Sequence, residues 1–125
     1  MMAKIDHLGI AVKSIEQARR LYETLGLTVL EEEEEGEGVR SAMIPLGESS
    51  LRLIESKDKE KEGLQHLALH VDDISGAFEE LKQAGVPLLS AEIEIGAGGR
   101  LHFLVDPSAS NGVLIEICQD PISAV

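Results

Sequence analysis

The sequence predicts an α+β fold built from two repeated β-α-β-β-β modules whose strands form one curled mixed sheet around a cleft. Three observations carry this expectation. First, His7-Leu-Gly-Ile-Ala-Val12 returns as His66-Leu-Ala-Leu-His-Val71, and at the same offset (66 − 7 = 59) Ile15, Ala18, Gly26 and Leu30 return as Ile74, Ala77, Gly85 and Leu89. A repeat of this length marks two similar supersecondary units. Second, each copy holds one stretch of helical apolar spacing followed by short apolar runs bounded by glycine. Third, the charged stretch Ser-Lys-Asp-Lys-Glu-Lys-Glu-Gly at 56–63 separates the copies. The 125 residues therefore read as a single domain with module one at 5–55, a linker at 56–63 and module two at 64–118.

The elements follow in order. Ile5 to Val12 is short and apolar, as a strand buried on both faces requires. Ser14 is an N-cap with Gln17 three residues on. Ile15, Ala18, Leu21, Tyr22 and Leu25 recur at helical spacing, and Gly26 closes the helix. Leu27 to Glu34 leaves as a strand that turns acidic. Glycines 36 and 38 make a turn into the strand Val39 to Pro45, and Gly47-Glu-Ser-Ser turns into Leu51 to Glu55. Module two repeats the order. Leu64 to Val71 is a strand, and Asp72 or Asp73 caps a helix through Ile74, Ala77, Phe78 and Leu81 that ends at Gly85. Val86 to Glu92 is expected as the returning strand. After the Gly96-Ala-Gly-Gly99 loop come the strands Arg100 to Val105 and Gly112 to Cys118. The carboxylate run Glu31–Glu35 reads as a solvated strand end whose repulsion discourages edge pairing.

Composition excludes several classes of function. Hydrophobic residues make up 43%, and Tyr22, Phe78 and Phe103 are the whole aromatic content, so aliphatic side chains must fill most of the core. A formal charge of −12 repels phosphate backbones, and there are no aromatic platforms for bases, so no nucleic-acid partner is expected. No apolar stretch approaches the ~20 residues of a membrane span. Cys118 is the sole cysteine, which excludes an intrachain disulfide and suits a cytoplasmic location.

The repeat also groups chemistry. His7 and His66 open equivalent strands, while the last strands hold Leu51-Arg52-Leu53 and Ile115-Glu116-Ile117 at corresponding places. If the sheet curls, His7, His66, Arg52 and Glu116 converge. Two neutral imidazoles and a carboxylate, with positions left for water or substrate, suit a divalent ion. Such an ion polarises a carbonyl and stabilises the enolate formed on removal of a neighbouring proton. Taken singly, His7 or Glu116 is more simply a packed or solvated residue, and the repetition of histidine tips the balance toward a site. Arg52 stays protonated and offers only donors, so it cannot be a ligand. It reads as an anchor for a substrate carboxylate, a partner of Glu116, or a surface residue. His70 and His102 are expected in surface or packing roles, and Arg40 and Arg100, after the glycine loops, as anion-binding or solvated.

Together these features resemble the vicinal oxygen chelate superfamily of glyoxalases and bleomycin-resistance proteins, and within it the methylmalonyl-CoA epimerases. The stretches that carry the resemblance are Asp6-His-Leu-Gly-Ile-Ala-Val12, Gly38-Val-Arg40, Ile44-Pro-Leu-Gly47, Gly63-Leu-Gln-His-Leu-Ala68, Val71-Asp-Asp73, Ile95-Gly-Ala-Gly-Gly99 and Gly112-Val-Leu-Ile-Glu116. They span nearly the whole chain in order. The resemblance implies a glyoxalase-like fold and a divalent metal ion (Co, or Zn, Ni, Mn or Mg) on His7, His66 and Glu116. It further implies an epimerase acting on an acyl-CoA thioester, with Glu116 as ligand or base and Arg52 in the catalytic site, and a homodimer. The chain departs from the family pattern where a usual Glu or Gln ligand is Arg52, where a proposed basic glutamate is Ser41, and where Asp106-Pro107 replaces His-Pro. A lactoylglutathione lyase-like enzyme and a non-enzymatic binding protein of the same fold are the alternatives.

Overall fold

A computed structural model describes residues 3–35, 39–55 and 62–121. Most of the charged linker, 56–61, and the glycine turn at 36–38 lie outside them. Among the described residues, eight strands form one mixed sheet, with two helices, so the α+β class and the repeated modules are found. The chain divides into two compact units, Asp6–His66 and Leu67–Val125, the second with the first residues of the chain.

In module one, β1 (Ala3–Val12) leads through the turn at Lys13 and Ser14 into α1 (Ile15–Thr24). β2 (Leu30–Glu35), β3 (Val39–Leu46) and β4 (Ser49–Glu55) follow as an antiparallel meander, and β4 returns parallel to β1. Ser14 caps the helix as expected, its hydroxyl accepting from the Gln17 N–H. Gly26 (φ 86°) closes it, and the Leu27 N–H reaches back to the Tyr22 carbonyl at 2.9 Å. The first helical N–H, at Ile15, is taken by a distant group, the Glu55 carboxylate at the end of β4 (3.2 Å). Along α1, Glu23 hydrogen-bonds Arg19 one turn away and holds its guanidinium above the ordinary pKa, first through that bond and then through charge. Ile15, Ala42, Ile44 and Leu53 form the buried core, with Ile10, Val12 and Leu51 packed against it. One face of β1 and β4 is thus committed to α1. By strand alternation, His7, Gly9 and Arg52 lie on the other face.

Module two repeats this scheme with β5 (Gly63–Val71), α2 (Ile74–Gln83), β6 (Glu94–Ile95), β7 (Leu101–Val105) and β8 (Leu114–Gln119). Asp73 caps α2 by accepting from the Gly76 N–H at 3.0 Å, and Gly85 (φ 77°) closes it. The Ile74 N–H is again taken from the end of the last strand, here by the Gln119 side-chain oxygen at 2.7 Å. The core holds Val71, Ile74, Phe78, Phe103, Val105 and Ile117, with the Phe78 and Phe103 rings edge to face at 5.1 Å. Leu69 and Ile115 pack against this cluster, so Ala68, His102, Glu116 and Cys118 lie on the opposite sheet face.

One expected element is corrected. Val86 to Glu92 is not a strand, and pairing is confined to a single bridge from Leu88 to Val105 and the two-residue β6. Pro87 has no N–H to give to a ladder. Its carbonyl accepts from the Asp106 N–H, while the Leu89 and Ser90 N–H groups both turn to the Leu104 carbonyl. The buried Ser90 hydroxyl in turn takes the Leu104 N–H at 2.9 Å, replacing a ladder bond with a side-chain bond. No helix among the described residues is long and apolar enough to cross a membrane.

Candidate functional site

The two repeat histidines meet. His7 Nε2 and His66 Nε2 are 3.0 Å apart, with the ring planes at 89° and centroids 5.1 Å apart. His7 is 7% exposed, so its imidazole is held almost entirely within the protein. The strand supplies space for this approach through Gly9. A Cβ at that position would stand 2.2 Å from Cε1 and 2.4 Å from Nδ1 of His66, so any side chain there would drive the ring away.

The other ring nitrogens are engaged in matching fashion. Asp6 Oδ2 lies 2.7 Å from His7 Nδ1, and Gln65 Oε1 lies 3.2 Å from His66 Nδ1. A carboxylate and an amide oxygen only accept, so a proton on each Nδ1 satisfies both contacts and leaves an Nε2 lone pair on each ring for a ligand. Two lone pairs facing at 3.0 Å repel each other unless positive charge lies between them. Nitrogens held about 2.1 Å from one ion stand about 3.0 Å apart at a right angle and about 3.4 Å apart at the tetrahedral angle. Donor type and spacing both fit a divalent ion.

The other candidate residues are distributed over both modules. Arg52 pairs with Gly9 across the parallel ladder and with Met43 across the antiparallel one, on the sheet face of His7. Glu55, three residues on, is turned to the helix face, where it holds the Ile15 N–H. Ser41 is 2% exposed, sealed into β3. Glu116 lies on β8 opposite Leu104, its carboxylate 3.7 Å from His102 Nδ1, and Glu94 reaches Nε2 of the same ring at 3.4 Å. His102, expected in a surface or packing role, is part-exposed, and its ring lies between two carboxylates on the face that carries Glu116. His70 lies 3.6 Å from Asp120.

Arg40 and Arg100 each face a carboxylate at the end of their own module's last strand, Glu55 at 3.8 Å and Asp120 at 3.6 Å. Arg100 also donates to the buried Cys118 sulfur at 3.3 Å. This carboxylate pairing favours a structural role over anion capture.

Asp6, Gln65 and Gly9 are the residues beside the histidine pair to which the sequence alone assigns no task. The first two were available from the repeat itself, since 6 + 59 = 65. His102 stands opposite Cys118 as Ser41 stands opposite Ile54, so the two occupy equivalent places in their modules.

Comparison with known proteins identifies the family of the chain. Residues 6–103 match the model of the glyoxalase/bleomycin resistance protein/dioxygenase superfamily. An uncharacterized protein of Bacillus subtilis is 35% identical over 94% of this chain and 93% of its own. The ethylmalonyl-CoA/methylmalonyl-CoA epimerase of Cereibacter sphaeroides is 32% identical over 95% of this chain and 99% of its own. Among solved structures, a variant of Streptomyces coelicolor methylmalonyl-CoA epimerase in complex with 2-nitronate-propionyl-CoA superposes with a TM-score of 0.82 at 28% identity, over 98% of this chain and 97% of that one.

Proposed function

Given that this chain belongs to the glyoxalase/bleomycin resistance protein/dioxygenase superfamily, with methylmalonyl-CoA epimerases among its relatives, we propose that it is a divalent-metal-dependent epimerase acting at the carbon between a thioester and a carboxylate, with methylmalonyl-CoA as substrate. The observation that carries the metal part is the His7–His66 pair, two Nε2 acceptors turned toward each other at 3.0 Å. Glu116 supplies the third protein group of the site. The chemical part is supported by the relatives, since a 2-nitronate is planar and anionic where the enolate of a 2-carboxyl thioester would be.

Each residue then has a task. His7 and His66 would hold the ion through Nε2, and Glu116 would add a carboxylate, as a ligand or as the base at C2. A bound divalent ion would supply Lewis-acid polarisation of the thioester carbonyl. Arg52, on the sheet face of His7, binds the free carboxylate of the substrate by paired N–H donation. Fixing that carboxylate holds the C2–H bond in register with the base. The C2 proton leaves to a base, its electron pair moves into the thioester carbonyl, and the pair returns to C2 as water gives a proton to the opposite face, the base then releasing its proton to solvent. The balance needs no oxidant and no second substrate.

The test is isotopic. Methylmalonyl-CoA incubated with the protein and Co²⁺ in deuterated water should take deuterium at C2, and Ala at His7 or His66 should abolish the exchange together with metal uptake. Absence of exchange with every divalent ion tried would sink the reading. Turnover of the methylglyoxal–glutathione hemithioacetal in its place would move the assignment to a lactoylglutathione lyase-like reaction.

A further inference from the structure

We infer that Asp6 and Gln65 are positioning residues that fix both histidines of the pair as the Nδ1–H tautomer, so that two Nε2 lone pairs are presented to one cation. The inference rests on the metal reading above and adds to it the groups that prepare the ligands.

The geometry is unusual for a strand. Neighbouring residues in a strand project to opposite faces, so side chains at i and i+1 do not ordinarily meet. Here the Asp6 carboxylate reaches around β1 to His7 Nδ1 at 2.7 Å, and the Gln65 amide reaches around β5 to His66 Nδ1 at 3.2 Å. One such contact could be an accident of packing. The same contact in both modules, at positions related by the repeat and aimed at the same ring atom, is a device.

Its chemical effect is specific. A ring whose Nδ1–H is held by an oxygen acceptor has its tautomer and its orientation fixed, and its Nε2 becomes more basic. The two modules do this unequally. Asp6 brings a full charge at the shorter distance, and Gln65 a neutral dipole at the longer one. His7 is therefore the stronger donor of the pair and His66 the weaker. Gly9 completes the arrangement, because only a residue without a side chain leaves the His66 ring in its place.

The experiment uses the full chain and two readouts. Nitrogen-15 NMR of the histidine rings in metal-free protein reports which nitrogen carries the proton, and chelator competition with Co²⁺ or Zn²⁺ reports affinity. Both rings of the native chain should show protonated Nδ1. Asp6→Leu should move the His7 proton toward Nε2 and weaken metal binding by roughly 10–100-fold, with the isosteric Asp6→Asn in between. Gln65→Glu should strengthen binding by about tenfold, a gain that loss of packing cannot produce. The inference is overturned if the rings carry Nε2–H in the native chain, or if neither tautomer nor affinity responds to these substitutions. Should the native chain take up no metal while the tautomers still follow residues 6 and 65, the metal reading fails and the positioning role stands.

Discussion

The two modules differ most on the sheet face turned away from their helices and least at the ends of those helices. Ser14 and Asp73 cap equivalent helices, Gly26 and Gly85 close them with positive φ, and the end of each last strand takes the first helical N–H. On the other face, Arg52 stands where module two has Glu116, Ser41 where it has His102, and Gly9 where it has Ala68. The histidine recurs there, met in both modules by the side chain that precedes it. Backbone satisfaction is thus common to both modules, and chemical identity is divided between them. A duplicated frame lets one copy carry a cation where the other carries an anion, because strand alternation isolates that face from the core.

The largest expected effect tests the cores. Module one is filled by Ile15, Ala42, Ile44 and Leu53, whereas module two relies on the Phe78–Phe103 contact. Phe103→Ala should destabilise the protein by about 3–5 kcal/mol, transfer and cavity terms together. Denaturant unfolding measures this directly. A loss below about 1 kcal/mol would mean that module two collapses around the gap and does not depend on its aromatic pair.

A smaller effect is expected where the modules diverge beside the histidines. Gly9→Ala puts a methyl group against the His66 ring, an overpacking worth about 1–3 kcal/mol. The ring must turn away, so metal affinity should fall with the fold intact. Unchanged affinity, measured by the same chelator competition, would show that His66 tolerates the shift and that the glycine is not required.

Legibility in the sequence followed the same division. Helix ends were readable because caps and closing glycines act on their immediate neighbours, and Ser14, Gly26 and Gly85 are local signals. His7 and His66 were readable because the repeat placed them together. The stretch from Val86 to Glu92 was misread as a strand because its apolar run is outweighed by Pro87 and by Ser90, whose hydroxyl substitutes for a ladder bond. The two carboxylates beside His102 are not legible in its own strand, because Glu94 and Glu116 come from two other strands and meet it only through register. Asp6 was missed for the opposite reason: adjacent strand residues are expected to diverge, and here they meet.

The smallest effect concerns the one place where the common helix frame differs in charge. In module one the N-cap, Ser14, is neutral and the group on the Ile15 N–H, Glu55, is a carboxylate. In module two the N-cap, Asp73, is the carboxylate and the group on the Ile74 N–H, Gln119, is neutral. Each helix start thus receives one carboxylate from this pair of partners, matching the positive end of its dipole. Glu55→Gln should therefore destabilise by about 0.3–1 kcal/mol at low salt, and less as salt rises. Gln119→Glu should gain nothing comparable, because its charge would stand beside Asp73. Combined with Asp73→Ser, which alone should cost about 0.3–1 kcal/mol because serine still caps and only the charge is lost, it rebuilds the module-one arrangement and should recover much of that loss. Non-additivity of this sign in a double-mutant cycle is the signature of one charge shared between two capping positions. Strict additivity would mean that the two caps act independently and that the exchange of charge between modules carries no energy.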